Sequence, residues 1–247
     1  MPLPTLSTPK YQLTIPSTKE KISYRPFLVK EEKVLLSALE SSDGAAMLNS
    51  MSDVVMTCTD GKVVAEKYPL FDIEYIFLNL RMKSVGEVCE LILPCKNTEC
   101  GEKVTVNLDL EDVKIDVPDE SSRVIEIDKG LGLTLRYPTI KEAEKYEDVR
   151  ESANTIVGMI VDCIESVYDE NEIYPAKDHT KEELEKFVES IPSAAFQKIV
   201  EFFENIPTLK HTIEFKCPKC KKKSVYELEG LSDFFEYASS TTLSIVR

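Results

Sequence analysis

Four of the seven cysteines occur as two close pairs. Cys95 and Cys100 stand in Pro94-Cys95-Lys96-Asn97-Thr98-Glu99-Cys100-Gly101, and Cys217 and Cys220 stand in Lys216-Cys217-Pro218-Lys219-Cys220-Lys221. Each pair follows an apolar or alternating run, Leu91-Ile92-Leu93 or Ile213-Glu214-Phe215. Each precedes an alternating run, at residues 103–108 and 224–228. This pattern places the cysteines at the tips of two β-hairpins. A tight turn aims two thiolates at one point, and two such turns complete a tetrahedral four-sulfur zinc site. Four sulfurs leave no open ligand position, so the expectation is one structural Zn ion held by Cys95, Cys100, Cys217 and Cys220. Two reduced hairpins without metal are the simpler alternative. A redox pair at Cys217 and Cys220 is less well supported, because the neighbouring sequence lacks the helix start that such motifs use. Glycine is usual after the second cysteine of such a turn; Gly101 supplies it in the first, and Lys221 replaces it in the second.

The two tips also read as an internal repeat. Leu108 lies eight residues after Cys100, and Leu228 lies eight after Cys220. An acidic segment follows each, Asp109-Leu110-Glu111-Asp112 and Glu229-Gly230-Leu231-Ser232-Asp233. The other cysteines, Cys58, Cys89 and Cys163, sit in apolar surroundings and read as small buried hydrophobes. Met1-Pro2-Leu3-Pro4 has no signal pattern, which sets the expectation of a reducing compartment and free thiols.

Several elements must position these tips. Residues 11–15 and 22–24 read as a hairpin, and helical spacing covers residues 29–41, 45–58 and 71–83. A second hairpin spans residues 124–137. Its Gly130-Leu131-Gly132 lacks the third glycine, the Lys-Ser/Thr and the helix that a phosphate loop needs, so it reads as a turn. Capping boxes at Thr139 and Thr180 open helices, the first running to about Val167. A third helix covers residues 194–205, and a short aromatic one follows the second cysteine pair.

The fold expected is α+β: a β-hairpin core with a split four-cysteine zinc-ribbon-like element, N-terminal helices and an inserted acidic helical domain. The divisions expected are 1–137, 138–207 for the insert, and 208–247, which completes the ribbon and adds the C-terminal helix.

Charge supports the idea of an insert. The chain of 247 residues carries −14, and residues 138–207 account for −10 of it, with 7 Lys and Arg against 17 Asp and Glu. That stretch is either a set of well-solvated helix faces or a surface for a basic partner. A chain this acidic is a poor general binder of nucleic acid. No apolar run approaches the ~18 residues of a membrane span. His179 and His211 lie in different segments, and no nucleophile elbow, Walker loop or His-Glu-x-x-His occurs, so no enzyme is expected.

Three segments carry a resemblance. They are Ile22-Ser23-Tyr24-Arg25-Pro26-Phe27-Leu28-Val29-Lys30-Glu31-Glu32-Lys33, the split cysteine turns, and Cys217-Pro218-Lys219-Cys220 leading into Leu228-Glu229-Gly230-Leu231-Ser232-Asp233-Phe234-Phe235. Together they resemble the baseplate protein family of T-even-type contractile-tailed bacteriophages, over residues 11–235. The resemblance implies a non-enzymatic baseplate hub assembly factor (chaperone) or hub subunit, whose partners are other phage baseplate hub proteins. It implies a place in the host cytoplasm during assembly, or in the virion tail baseplate. It transfers the four cysteines as zinc ligands and no catalytic residue. The alternative from another class is a zinc-ribbon nucleic-acid-binding regulator, suggested by Lys219 and Lys221-Lys222-Lys223 at one tip.

Overall fold

The computed structural model of the chain describes residues 7–41, 43–146 and 153–237. In chain order these form β1 (Tyr11–Thr14), β2 (Lys21–Tyr24), α1 (Val29–Ser41), α2 (Gly44–Cys58), α3 (Leu70–Ser84), β3 (Val88–Pro94) and β4 (Lys103–Asp109). There follow β5 (Val124–Asp128), β6 (Leu131–Leu135), α4 (Ile140–Tyr146), α5 (Ala153–Cys163), β7 (Ile164–Tyr168), β8 (Ile173–Pro175), α6 (Lys181–Glu189) and α7 (Ser193–Glu204). Last come β9 (Lys210–Lys216), β10 (Lys223–Glu229) and α8 (Gly230–Glu236). The class is α+β, with small antiparallel sheets.

The chain divides into two compact units. One comprises Met1–Asp116 with Thr208–Arg247, and the other Val117–Pro207. In the first, the β1–β2 hairpin is tied to the start of α3 through Asp72. The buried Asp72 carboxylate accepts from the Ser17 backbone N–H (3.0 Å) and from the Ser17 hydroxyl. Helices α1, α2 and α3 pack in sequence, and α8 packs on α3. The core here includes Ile15, Val55, Ile73, Ile76 and Leu80, all fully buried.

The two cysteine hairpins are separate two-stranded sheets, each with seven-residue strands. Their registers correspond: Pro94 faces Lys103 at one tip, and Lys216 faces Lys223 at the other. Their open ends close alike, with Leu110 N–H donating to Glu87 C=O and Gly230 N–H to Leu209 C=O, at 2.8 and 2.9 Å. The internal repeat expected from sequence is thus present as matching register and matching closure. Just inside the points where the chain leaves and rejoins this unit, Lys114 and Lys210 exchange two backbone hydrogen bonds, at 3.2 and 2.8 Å.

The second unit is not purely helical. It holds a four-stranded antiparallel sheet in the order β5-β6-β7-β8 beside helices α4 to α7. Two sequence expectations change here. The helix expected from Thr139 to about Val167 is instead α4, then α5 ending at Cys163, then strand β7; residues 147–152 of that expected helix lie outside the described residues. Ile164-Glu165-Ser166-Val167-Tyr168 continues the apolar content of α5, which hides the change of period. Its β-branched and aromatic residues suit a strand, and pairing Leu133 with Val167 and Leu135 with Ile164 decides the outcome. For the same reason the boundary expected at 138 falls inside this unit. Strand β6 pairs with both β5 and β7, so the hairpin of residues 124–137 shares one sheet with β7 and β8.

Candidate metal centre

Strand geometry aims the first cysteine of each pair inward. Side chains alternate along a strand, and in β3 the buried positions are Cys89, Leu91 and Leu93, so Cys95 extends the same face. In β9 the buried Ile213 and half-buried Phe215 lead likewise to Cys217. The turns then return the second cysteine of each pair. Cys95 N–H donates to Glu102 C=O (2.7 Å), and Cys217 N–H donates to Lys222 C=O (3.0 Å). The residue after each second cysteine, Gly101 or Lys221, has φ +62°. The backbone places the turn in the left-handed region at both tips, although only one has the residue that prefers it.

The four sulfurs converge. Cys95 Sγ lies 3.6 Å from Cys220 Sγ, and Cys100 Sγ lies 3.8 Å from Cys217 Sγ. All four Sγ atoms lie within 4.8 Å of one another. All four cysteines are free thiols; Cys95 and Cys217 are buried, and Cys100 and Cys220 partly exposed. Each of the short pairs joins one hairpin to the other, across 125 and 117 residues of sequence. A zinc ion with Zn–S bonds of ~2.3 Å at the centre of a tetrahedron requires sulfurs about 3.8 Å apart. The spacing and the chemistry of the donors therefore fit a tetrathiolate metal site.

Four adjacent thiols cannot all ionise equally. The Lys222 backbone N–H, against burial and aided by the Cys95, Cys217 and Cys100 thiols, holds the Cys220 thiol down to about 6. The Glu102 backbone N–H favours the Cys100 thiolate, yet burial and proton sharing with Cys217 and Cys220 push that thiol up to about 11.

Ser224 belongs to this centre and was not singled out by the cysteine pattern. Its buried hydroxyl accepts from Lys96 N–H (3.2 Å) and lies 4.0 Å from Cys95 Sγ as a donor. The available signal was its place at the start of the alternating run after the second pair. Tyr226 reaches from β10 to Pro94 C=O with its hydroxyl, and its ring stacks on Phe215 at 6.1 Å. The three other cysteines stay apart from the centre. Cys58, Cys89 and Cys163 are buried, and burial pushes their thiols up, Cys58 to about 11 and Cys163 to about 12. His211 lies on β9, with Nδ1 3.4 Å from Asp112 C=O, and His179 lies in the other unit, 3.8 Å from Glu183. The His179 ring lies edge-on to that of Tyr174, with centroids 6.3 Å apart.

The family profile described as T4 bacteriophage base plate protein matches residues 8–236. The chain belongs to this family. Among individual relatives, the baseplate hub assembly protein gp26 of Enterobacteria phage T4 is 25% identical over 228 residues, covering 92% of this chain and 98% of the relative. No solved structure matches. The base plate family assignment spans both units and both cysteine pairs, so the split hairpins lie wholly within the family region. No helix among the described residues is long and apolar enough to cross a membrane.

Proposed function

We propose that this chain is a non-enzymatic protein of a phage tail baseplate hub, acting in hub assembly through contacts with other hub proteins. The match to a hub assembly protein along 98% of that relative's length carries this reading. The working location is the host cytoplasm during assembly and, for a chain that stays as a subunit, the tail baseplate. Co-expression with hub proteins of the same phage, followed by capture, tests the reading. Capture of none across several conditions overturns it. Mass spectrometry of purified particles decides whether the chain stays in the virion as a subunit or leaves as a chaperone.

Within this reading the four cysteines hold one structural zinc ion. Cys95 and Cys100 from one turn and Cys217 and Cys220 from the other supply four thiolates, and Ser224 supports Cys95 from behind. The metal joins two hairpins that the sequence separates by more than a hundred residues. Binding of this kind contributes directly to folding free energy. Metal analysis of protein purified without added zinc tests the site, and less than roughly half a mole of zinc per chain overturns it.

A further inference from the structure

Charge reverses at the hairpin tips. Residues 94–103 and 216–223 carry seven lysines against two glutamates, in a chain of net charge −14. A zinc tetrathiolate carries a formal charge of about −2, so the tips remain positive with the metal in place. Part of this charge is used locally. Lys219 pairs with Glu102 at 3.2 Å, Lys223 pairs with Glu214 at 2.6 Å, and Lys96 lies 4.6 Å over the Tyr226 ring. Lys103, Lys216 and Lys221 are exposed, and their side chains meet no ion-pair partner among the described residues.

Lys221 bears most on the question. It holds the same φ, +62°, that Gly101 holds at the matching place in the twin turn. A side chain in that conformation costs about 1 kcal/mol relative to glycine. The twin turn shows that glycine serves this geometry, so the lysine stands against the preference of its own backbone, as Lys19 does at φ +59°. A lysine where glycine would serve leaves its exposed side chain free to act outside the fold.

We propose that the lysine-bearing tips of the paired cysteine hairpins dock onto an acidic face of a partner protein. This rests on the hub-contact reading above. Two narrow turns do not make the cationic stripe that follows a phosphate backbone. Between the cysteines stand Lys96, Asn97, Thr98, Glu99, Pro218 and Lys219, which offer no aromatic or aliphatic wedge for a membrane. A local acidic patch on a protein matches both the size and the sign of the surface. Convergence of the sulfurs fixes the two turns against each other, so little ordering is left to be done on docking.

The test uses hub proteins of the same phage, co-expressed with the full chain and captured through it at about 150 mM salt. Lys221→Gly adopts the geometry of Gly101, so its thermal stability should equal or exceed that of the wild type, while affinity for the captured protein falls about threefold. Combined Lys103→Glu, Lys216→Glu and Lys221→Glu should weaken capture more than about tenfold and flatten its salt dependence. Wild-type affinity in both variants overturns the tip proposal and leaves the hub reading standing. Failure of the wild type to capture any hub protein overturns both. Salt-sensitive binding of duplex DNA or of phosphatidylserine vesicles by the wild type, lost in the triple variant, reassigns the tips and overturns a protein partner.

Discussion

The two units hold themselves together in different ways. The first is assembled from segments on either side of an insertion, and its cysteine hairpins meet through sulfurs and through side chains such as Ser224, Tyr226 and Lys219. The second is one continuous stretch, whose ion pairs close shorter spans, 6 residues for Arg136–Glu142 and 42 for Arg123–Glu165. In it, Arg136 binds the Glu142 carboxylate at 2.7 Å, and Glu142 also accepts from Thr139 N–H at 2.8 Å. Asp162 gathers Lys145, Lys181 (3.4 Å) and the Tyr146 hydroxyl (2.6 Å). A split unit needs long-range staples, whereas a continuous one can rely on contacts that cost little loop closure.

The sharpest way to break this comparison is to remove a staple. Cys217→Ser, or chelation of the proposed zinc ion, should cost the first unit about 5 kcal/mol or more. Amide exchange should show protection lost across β3, β4, β9 and β10 and retained across β5 to β8. Cys163→Ala, in the core of the second unit, should cost only about 1–2 kcal/mol, the scale of a small cavity.

Glu142→Gln turns the comparison round. It leaves the Arg136 guanidinium short of its counter-charge and should destabilise the second unit by about 2–3 kcal/mol, read by thermal unfolding. Burial opposes ionisation of Glu142, but Arg136 and Thr139 hold its carboxyl down to about 2. A folded-state value below the unfolded one means stability that is present above about pH 4.5 and is lost as pH falls toward 2. Acid unfolding of the second unit should therefore move to higher pH in this variant.

The first unit carries carboxylates shifted the other way. Burial pushes Asp72 up to about 6 and Glu74 up to about 7. Each binds more protons folded than unfolded, so its contribution weakens as pH rises from about 4 through those values. Glu74 Oε1 accepts from Leu231 N–H at 3.3 Å, a bond that a glutamine oxygen can also accept. Glu74→Gln should raise stability at pH 8 by about 1 kcal/mol and flatten its pH dependence between 5 and 8, measured by urea unfolding.

The smallest effect compares the two turns directly. Lys221→Gly should stabilise by a few tenths to about 1 kcal/mol, and Gly101→Lys should destabilise by about as much, in matched melting curves. Equal and opposite shifts would establish the turns as energetic twins.

The cysteine pairs and their hairpins were legible because period-two alternation runs straight into each pair, and Leu108 and Leu228 mark the same offset beyond it. Helices α1 and α3 were legible from apolar spacing, and α6 from Thr180 and Glu183, which form a reciprocal capping box. Strand β7 was hidden because Ile164 and Val167 prolong the apolar content of α5 without any break residue between them. Its identity comes from partners on β6 that lie some thirty residues away in sequence. Ser224 was hidden for a similar reason: a serine in an alternating run gains its meaning only from Cys95, which the fold brings to it. Of the pairings between distant segments, the meeting of the two cysteine turns was legible, whereas that of β7 with β6 was not.

The reciprocal bonds between Lys114 and Lys210 have a practical consequence. They fix the two chain ends that lead into the 91-residue Val117–Pro207 unit side by side. A module fitted at such a place needs only adjacent termini, because the host closes the gap itself. That makes the position a graft point. A fluorescent reporter or an affinity domain with neighbouring ends could replace the native module there and leave the hairpins to find each other.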